Sequence, residues 1–240
     1  MTQLENKIHA LKKTARLAGL LYLIWIITGL YAMFYVPSQT IVRGDAVATA
    51  NKILANEFVF RTGIINDLIS STIWVFMVLI LYQMFKSVNE CQAKLLVAFV
   101  FVQIPTVFIM DAFNITSLMI LKGEILKTFE LTQRQDLAIL FLKISDYGVL
   151  TLETFWGLWL FPLGTLVYRS NFIPRFLGVW LIITGIFYLV LSFTSIMLPQ
   201  YKDMVLNSPL ALPVEVGEVA IMLWLLIKGV KTNIPSNEFN

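Results

Sequence analysis

The residues of this sequence that could do chemistry are six acidic side chains inside or beside long apolar stretches. An ionised acid at the centre of a bilayer costs about 2.5 to 3.5 kcal/mol on insertion scales, so each acid has to be protonated, paired or hydrated. Acids in such positions often mark ion pathways, proton relays or ligand sites. The six acids are Asp67, Asp111, Asp146, Glu153, Glu215 and Glu218.

The composition places these acids in a membrane protein. Of the 240 residues, 58% are hydrophobic and 14% are charged, and the mean hydropathy is +0.78. Soluble domains carry about 25% charged residues. The composition therefore excludes the soluble, disordered, collagen-like and disulfide-scaffold classes, and it indicates that the outer surface contacts the lipid bilayer.

Six segments are long enough to cross a hydrocarbon core, which takes about 20 mostly apolar residues in a helix. They predict an all-α, polytopic bundle with six transmembrane helices. Lysines precede the first segment, but its apolar run is longer than a signal-peptide core, so we expect it to be retained. The predicted spans run from Leu17 to Val36, Thr62 to Phe85, Leu95 to Leu121, Gly148 to Tyr168, Phe176 to Leu198, and Pro209 to Ile227.

The distribution of Lys and Arg predicts the orientation, because cytoplasmic loops retain a positive excess. With the N-terminus inside, the inner segments hold ten Lys and Arg residues against three glutamates, while the outer loops are close to neutral. We therefore expect a cytoplasmic arm at residues 1–14, a single membrane domain at residues 15–230 and a cytoplasmic tail at residues 231–240. This is the arrangement of a multi-pass protein of the cytoplasmic membrane.

The two longer outer connections predict amphipathic helices at the outer membrane surface. In the first connection Asp45 is the expected N-cap. An apolar stripe at helical spacing follows it, formed by Val47, Ala50, Leu54 and Phe58. In the second connection, Thr132 and Gln135 have the spacing of a capping box, and the helix that they begin leads directly into the fourth span.

The predicted topology places all six acids in the outer half of the membrane, although four spans supply them. Asp111 and Asn114 follow one side of the third span, and Asp67 occupies the polar side of the second. Glu215 and Glu218 are three positions apart on the sixth span and can project into the same space. We infer an outward-opening acidic cavity lined by the six acids and Asn114.

The nearby cations do not balance the charge of these acids. Arg61 and Lys143 are the candidate charge partners, and each could neutralise one acid. The remaining acids would attract a metal ion or a cationic or polar small molecule. Carboxylate oxygens suit Ca, Mg or Mn better than zinc, since the single histidine, His9, and the single cysteine, Cys91, lie outside the spans. No cofactor is evident, and a divalent cation is one candidate occupant.

Three functional interpretations stay open. The favoured one is a protein that binds or transports a cation or a cationic small molecule; transport by six helices would require a homo-oligomer. The second is an intramembrane hydrolase or lipid-modifying enzyme with one carboxylate as base and another as acid, chosen from Asp111, Glu153, Glu215 and Glu218. The third is a structural or sensory protein in which protonated acids form hydrogen bonds between helices.

Glycines and tryptophans inside the spans are expected to serve helix packing or interfacial anchoring. Gly29, Gly157, Gly178 and Gly185 are expected to permit close helix contacts, and the tryptophans to anchor at the interface or to pack. The basic residues flank the spans and form no continuous stripe, so we expect no nucleic-acid partner.

Several short sequence motifs of this chain occur together in a known membrane family. They are Gly44-Asp45-Ala46 with Ala48-Thr49-Ala50, Arg61-x-Gly63 with Asp67-Leu68, Pro174-Arg175-x-x-Gly178, and Gly217-Glu218 with Leu223-Trp224-Leu225-Leu226-Ile227-Lys228-Gly229. In these motifs the chain resembles the bacterial family DUF4386, a domain of unknown function, and the resemblance extends from about Ala15 to Val230. The resemblance implies a multi-pass bacterial membrane protein, and it implies no activity, substrate or catalytic residue.

Overall fold

The structure, a computed structural model, describes residues 3–201, 204 and 212–231, and all regular secondary structure in these residues is helical. The predicted all-α class is confirmed. A π-helix, Tyr31–Tyr35, joins the first two helices, a 3₁₀ turn, Pro199–Tyr201, comes after the seventh, and a second π-helix, Trp224–Lys228, continues the last. The α-helices in the described residues are α1 (Gln3–Leu30), α2 (Val36–Thr40), α3 (Ala46–Ala55), α4 (Glu57–Phe85), α5 (Glu90–Leu121), α6 (Leu131–Arg169), α7 (Arg175–Met197) and α8 (Leu212–Leu223).

Five helical stretches of the described residues are long and apolar enough to cross a membrane. They correspond to the first five predicted spans. The sixth predicted span begins at Pro209, outside the described residues, and its described part is α8 with the π-helix that continues it. The five stretches are Glu5–Thr40, Glu57–Phe85, Glu90–Leu121, Leu131–Arg169 and Arg175–Met197.

The predicted N-terminal arm is helical in its described residues. Helix α1 begins at Gln3 and runs without interruption into the first span. The segment before Gly19 contains no Pro or Gly and is rich in Ala, Leu and Lys, which favour helix. Residues 3–14 are therefore the first turns of α1.

Helix α3 begins as the sequence predicts. The carboxylate of Asp45 accepts a hydrogen bond of 2.8 Å from the backbone N–H of Ala48, so Asp45 is the N-cap. The apolar residues predicted to form one stripe do not lie on one buried face of α3. Ala50 is fully buried, whereas Phe58 belongs to α4 and is 80% exposed. The buried side chains of α3 are Thr49, Ala50 and Ile53.

The second predicted capping box is displaced by two residues. Helix α6 begins at Leu131, and the side chain of Gln133 accepts a hydrogen bond from the backbone N–H of Glu130 at 3.1 Å. Glu130 therefore takes the cap position predicted for Thr132, and Gln133 has the reciprocal role predicted for Gln135. The helix then continues to Arg169, so the predicted surface helix and the fourth span are one helix of 39 residues.

Residue contacts divide the chain into two compact units. Unit 1 comprises Met1–Ile24, Ile73–Gln103 and Leu150–Asn240, and unit 2 comprises Trp25–Thr72 and Ile104–Val149. The core of unit 2 joins side chains of α3, α4, α5 and α6. Its buried members are Ala50, Ile53, Phe60, Leu118, Ile120, Leu121, Ala138 and Leu142.

Glycines allow the backbones of α6 and α7 to pack closely in unit 1. A Cβ atom at Gly178 would lie 2.5 Å from the carbonyl oxygen of Gly164, and one at Gly185 would lie 2.8 Å from that of Gly157. Each of these two glycine pairs lets the two backbones approach too closely for a side chain between them. The packing role expected for Gly157, Gly178 and Gly185 is confirmed, whereas a Cβ at Gly29 would meet no atom within 4 Å.

We predict that Gly178→Ala destabilises the protein and Gly29→Ala does not. An added methyl group at Gly178 must push apart two helix backbones, and overpacking of this kind costs about 1 to 3 kcal/mol. The same change at Gly29, inside α1, meets open space. Thermal unfolding of the two purified variants checks the prediction, and equal melting temperatures would contradict the tight contact between α6 and α7.

Candidate functional site

In unit 1 a buried phenol pairs with one of the predicted acids. Tyr22 of α1 is fully buried, and its hydroxyl donates a hydrogen bond of 2.5 Å to Oε2 of Glu218 on α8. A short bond from a neutral donor to a carboxylate is characteristic of a charge-assisted hydrogen bond. The pair joins two segments that lie 196 positions apart in the chain.

Two further groups surround this pair. The phenol of Tyr188 on α7 interacts electrostatically with both Glu218 and Glu153, and Glu153 lies on α6. The ring of Tyr188 packs edge-on against Trp156, with the ring centroids 6.1 Å apart. We call Tyr22, Glu153, Tyr188 and Glu218 the Glu218 cluster; four helices supply its members.

Aromatic rings pack behind Tyr22. The ring centroids of Tyr22 and Trp159 are 6.1 Å apart, and those of Trp159 and Trp74 are 6.0 Å apart. Trp74 and Trp159 are both buried within unit 1. These two tryptophans therefore pack inside the protein, which is one of the two roles expected for this residue type. They hold the phenol of Tyr22 in a fixed position beside the carboxylate.

Close packing of α8 places Glu218 in this cluster. A Cβ atom on the preceding residue, Gly217, would collide with the hydroxyl of Thr184 on α7 and would lie 3.1 Å from Trp180. At Gly19 of α1, a Cβ would collide with the backbone of Leu226. Glycines at these two positions let α8 and its π-helix lie directly against α7 and α1.

Unit 2 contains a second polar group of side chains inside predicted spans. The amide of Asn66 donates to the backbone oxygen of Thr28 at 3.0 Å, and the hydroxyl of Thr28 donates to that of Ser70 at 3.0 Å. Asp67 is adjacent to this network, with its Oδ1 3.5 Å from the Asn66 amide nitrogen.

Asp111 of α5 belongs to the same polar group. Its carboxyl group interacts electrostatically with Asp67 and with the side chain of Asn114. Asp111 is only 4% exposed, and its Oδ2 atom has no hydrogen-bond partner among the described residues. We call Thr28, Asn66, Asp67, Ser70, Asp111 and Asn114 the Asp111 cluster.

The other predicted site residues lie elsewhere or cannot be described. Asp146 and Lys143 are exposed. Arg61 does not serve the predicted acids: its Nε donates to Glu57 one helical turn away, at 2.8 Å. Glu57 is nearer along the helix than any predicted acid, which explains this correction. Glu215 lies within α8, and its side chain is outside the described structure.

The charged residues at the ends of α4 and α5 form a surface network. Lys122 lies 3.0 Å from Glu124 and 3.1 Å from Glu57, and these two carboxylates raise the pKa of the lysine ammonium group. Its ion pairs stabilise the fold below the usual lysine pKa of about 10.4 and are lost as the pH rises through the raised value. Exposed pairs such as these contribute little to stability.

The described residues contain no group of three or more His, Cys, Asp or Glu side chains that could hold a metal ion. An open groove of about 570 Å³ in unit 2 is lined by Leu30, Tyr31, Phe34, Tyr35 and Ser38, none of them acidic. The polar chemistry of the described structure is therefore concentrated in the Glu218 and Asp111 clusters.

Sequence reasoning missed the two phenols of the Glu218 cluster. Tyrosine has an apolar ring and is common at membrane interfaces, so neither Tyr22 nor Tyr188 stands out within its span. The only available signal was the need of a buried carboxylate for a donor, which limits the candidates to hydroxyl, amide, indole and cationic groups. The sequence does not reveal which of these groups reaches Glu218.

The helices and their buried polar groups define a multi-pass helical membrane protein. Within that class, the chain belongs to the family DUF4386, a domain of unknown function, which matches residues 17–229. The resemblance seen in the sequence is confirmed. No curated protein matches the chain, and no solved structure matches it.

We predict that Tyr22→Phe destabilises the protein by about 1 kcal/mol or more, because a buried carboxylate loses its donor. Tyr31→Phe is the matched control. It removes a hydroxyl that pairs with the neutral hydroxyl of Thr62 at 2.8 Å, and such membrane hydrogen bonds average about 0.6 kcal/mol. Thermal unfolding of both variants makes the comparison, and a smaller loss for Tyr22→Phe than for Tyr31→Phe would contradict it.

Proposed function

We propose that this protein is an integral membrane protein that binds an organic cation at the Glu218 cluster. The observation that carries the proposal is the hydrogen bond from the buried Tyr22 hydroxyl to Glu218. The bond fixes a carboxylate inside an apolar helix, and it uses a donor that leaves the negative charge in place.

The partner of Glu218 supports a cationic ligand. Among the described residues, the side chain bonded to this carboxylate is a phenol and not a Lys or Arg. A buried negative charge without a compensating cation is costly, so a bound cation would stabilise the site. Glu153 acts on the same Tyr188 ring as Glu218 and adds a second acidic group to the cluster.

The aromatic residues favour an organic cation over a divalent metal ion. Aromatic faces attract alkylammonium groups, with a gain of about 0.5–1 kcal/mol when exposed and about 2 kcal/mol when desolvated. Tyr22 and Tyr188 lie beside the carboxylates, with Trp159 and Trp156 behind them. A divalent metal ion needs more oxygen ligands than the two carboxylates of this cluster supply. Aromatic rings with two acids match the chemistry of a quaternary ammonium or polyamine ligand.

We predict that tetramethylammonium, choline or spermidine raises the melting temperature of the purified protein and that Glu218→Gln removes the rise. A ligand at about 100 times its Kd stabilises by roughly 2.7 kcal/mol. Glu124→Gln is the matched control, because Glu124 lies in an exposed loop and pairs with Lys122. Thermal unfolding with each cation, and with Ca, Mg and Mn for comparison, makes the measurement.

Two outcomes would contradict the proposal. One is a flat response of the wild-type protein to all organic cations, with Glu218→Gln as stable as the wild type or more stable. Protonated acids acting as hydrogen-bonding groups between helices would then account for the cluster. The other is a response that Glu218→Gln retains in full, which would locate the binding elsewhere.

We also propose the finer topology that the sequence predicts. The chain would cross a bacterial cytoplasmic membrane six times, with α8 and its π-helix in the last span and both termini inside. Helix α3 and the start of α6 would lie at the outer interface. One outward-opening cavity for all six acids stays a prediction, and transport through it would require a homo-oligomer. The charge distribution and the long apolar helices support this arrangement.

Cysteine labelling tests the orientation. Cys91 is the single cysteine, it is exposed, and it follows the turn predicted to face the cytoplasm. We predict that a membrane-impermeant maleimide labels Cys91 in cells only after permeabilisation. In a Cys91→Ser background, the same reagent should label Asn51→Cys in intact cells and Ser87→Cys only in permeabilised ones. The reverse pattern would invert the topology.

A further inference from the structure

We propose that the Asp111 cluster of unit 2 is a binding site for a monovalent inorganic cation, Na⁺. This inference does not depend on the Glu218 proposal, because it rests on different residues and a different ligand. Its supports are the unpartnered Oδ2 atom of Asp111, the electrostatic interaction with the carboxyl group of Asp67 and the engagement of several cationic side chains of unit 2 with other groups.

The Oδ2 atom of Asp111 requires a partner. The residue is 4% exposed, and no described residue forms a hydrogen bond with this atom. As an anion, the atom offers lone pairs that need a donor or a cation; as a hydroxyl, it needs an acceptor. Both forms are costly when they are buried without a partner. A water molecule or a small cation is the simplest partner for this atom.

The charge of the surroundings favours a cation over a water molecule. The side chains that act on Asp111 are Asp67, which is acidic, and Asn114, which is neutral. The side chain that acts on Asp67 is the neutral amide of Asn66. The two carboxyl groups therefore interact electrostatically, and no described Lys or Arg acts on either of them. A bound cation would remove their repulsion.

Several cationic side chains of unit 2 are engaged elsewhere. Arg61 pairs with Glu57, and Lys122 pairs with Glu57 and Glu124. Lys52 donates to the backbone oxygen of Ser38 at 2.8 Å. None of these three side chains acts on Asp111 or Asp67. No described Lys or Arg is among the groups that act on Asp111 or Asp67, so a small ion would neutralise the negative charge of the cluster.

The donor set indicates a monovalent ion. Ca²⁺ takes 6–8 oxygen ligands and usually several carboxylates. The Asp111 cluster has two carboxyl groups, and its other oxygens are the neutral ones of Asn66, Asn114, Thr28 and Ser70. Membrane transporters coordinate Na⁺ with neutral backbone carbonyl oxygens, so neutral oxygen atoms suit this ion. The concentrated negative charge of carboxylate oxygens attracts the smaller Na⁺ ion more strongly than K⁺, because the smaller ion approaches more closely.

The experiment measures thermal unfolding of the full-length detergent-purified protein in NaCl or KCl at constant ionic strength. At about 100 times Kd, Na⁺ should raise the melting temperature by roughly 5 to 10 °C relative to K⁺. Asp111→Asn should lose this rise. Asp136→Asn is the matched control, because Asp136 is exposed on α6 and should leave the rise intact.

Direct binding of ²²Na⁺ to the wild-type protein keeps the test decisive if Asp111→Asn does not fold. Saturable binding that excess Na⁺ displaces and excess K⁺ does not would support the site. The absence of saturable ²²Na⁺ binding, equal effects of Na⁺ and K⁺, or a Na⁺ response retained by Asp111→Asn would each overturn the proposal. None of these results would alter the response of Glu218→Gln to organic cations, so the two proposals fail separately.

Discussion

The structure depends on one constraint: a polar group inside an apolar helix bundle has to find a partner, either in the protein or in a bound ligand. The backbone satisfies this constraint by forming helices throughout the described regular structure. Polar side chains satisfy it by pairing across helices, as Asn66 does with the Thr28 carbonyl and Thr154 with Ser192. The Tyr22–Glu218 bond is the case in which the acceptor is a carboxylate, and for that reason it attracts functional interest.

Close helix approach is what makes such pairing geometrically feasible. Gly217 and Gly19 let α8 pack against α7 and α1, and this packing brings Glu218 to the Tyr22 hydroxyl. Between α6 and α7, the pairs Gly157–Gly185 and Gly164–Gly178 have the same effect. Small residues therefore determine where the polar residues of neighbouring helices can meet, so packing and the candidate chemistry have a common origin in this protein.

The sequence predicts much of the fold, because long apolar runs have few alternatives to helices in a bilayer. It also predicts the N-cap at Asp45, since that signal is local. It fails where partners depend on tertiary structure. From the sequence Arg61 is a candidate partner of the buried acids, whereas in the structure it pairs with Glu57 on its own helix. The sequence also does not distinguish Tyr22 from the apolar residues around it. The acids were recognisable from their type alone, whereas their partners depend on how the helices pack.

The central claim is that Glu218 and Tyr22 together hold an organic cation. The most direct test is isothermal titration of the detergent-purified protein with tetramethylammonium, beside the Tyr22→Phe,Glu218→Gln double variant. The account predicts saturable binding at a single site in the wild type and none in the double variant. Absence of saturable binding in the wild type, or equal binding by the folded double variant, would contradict it.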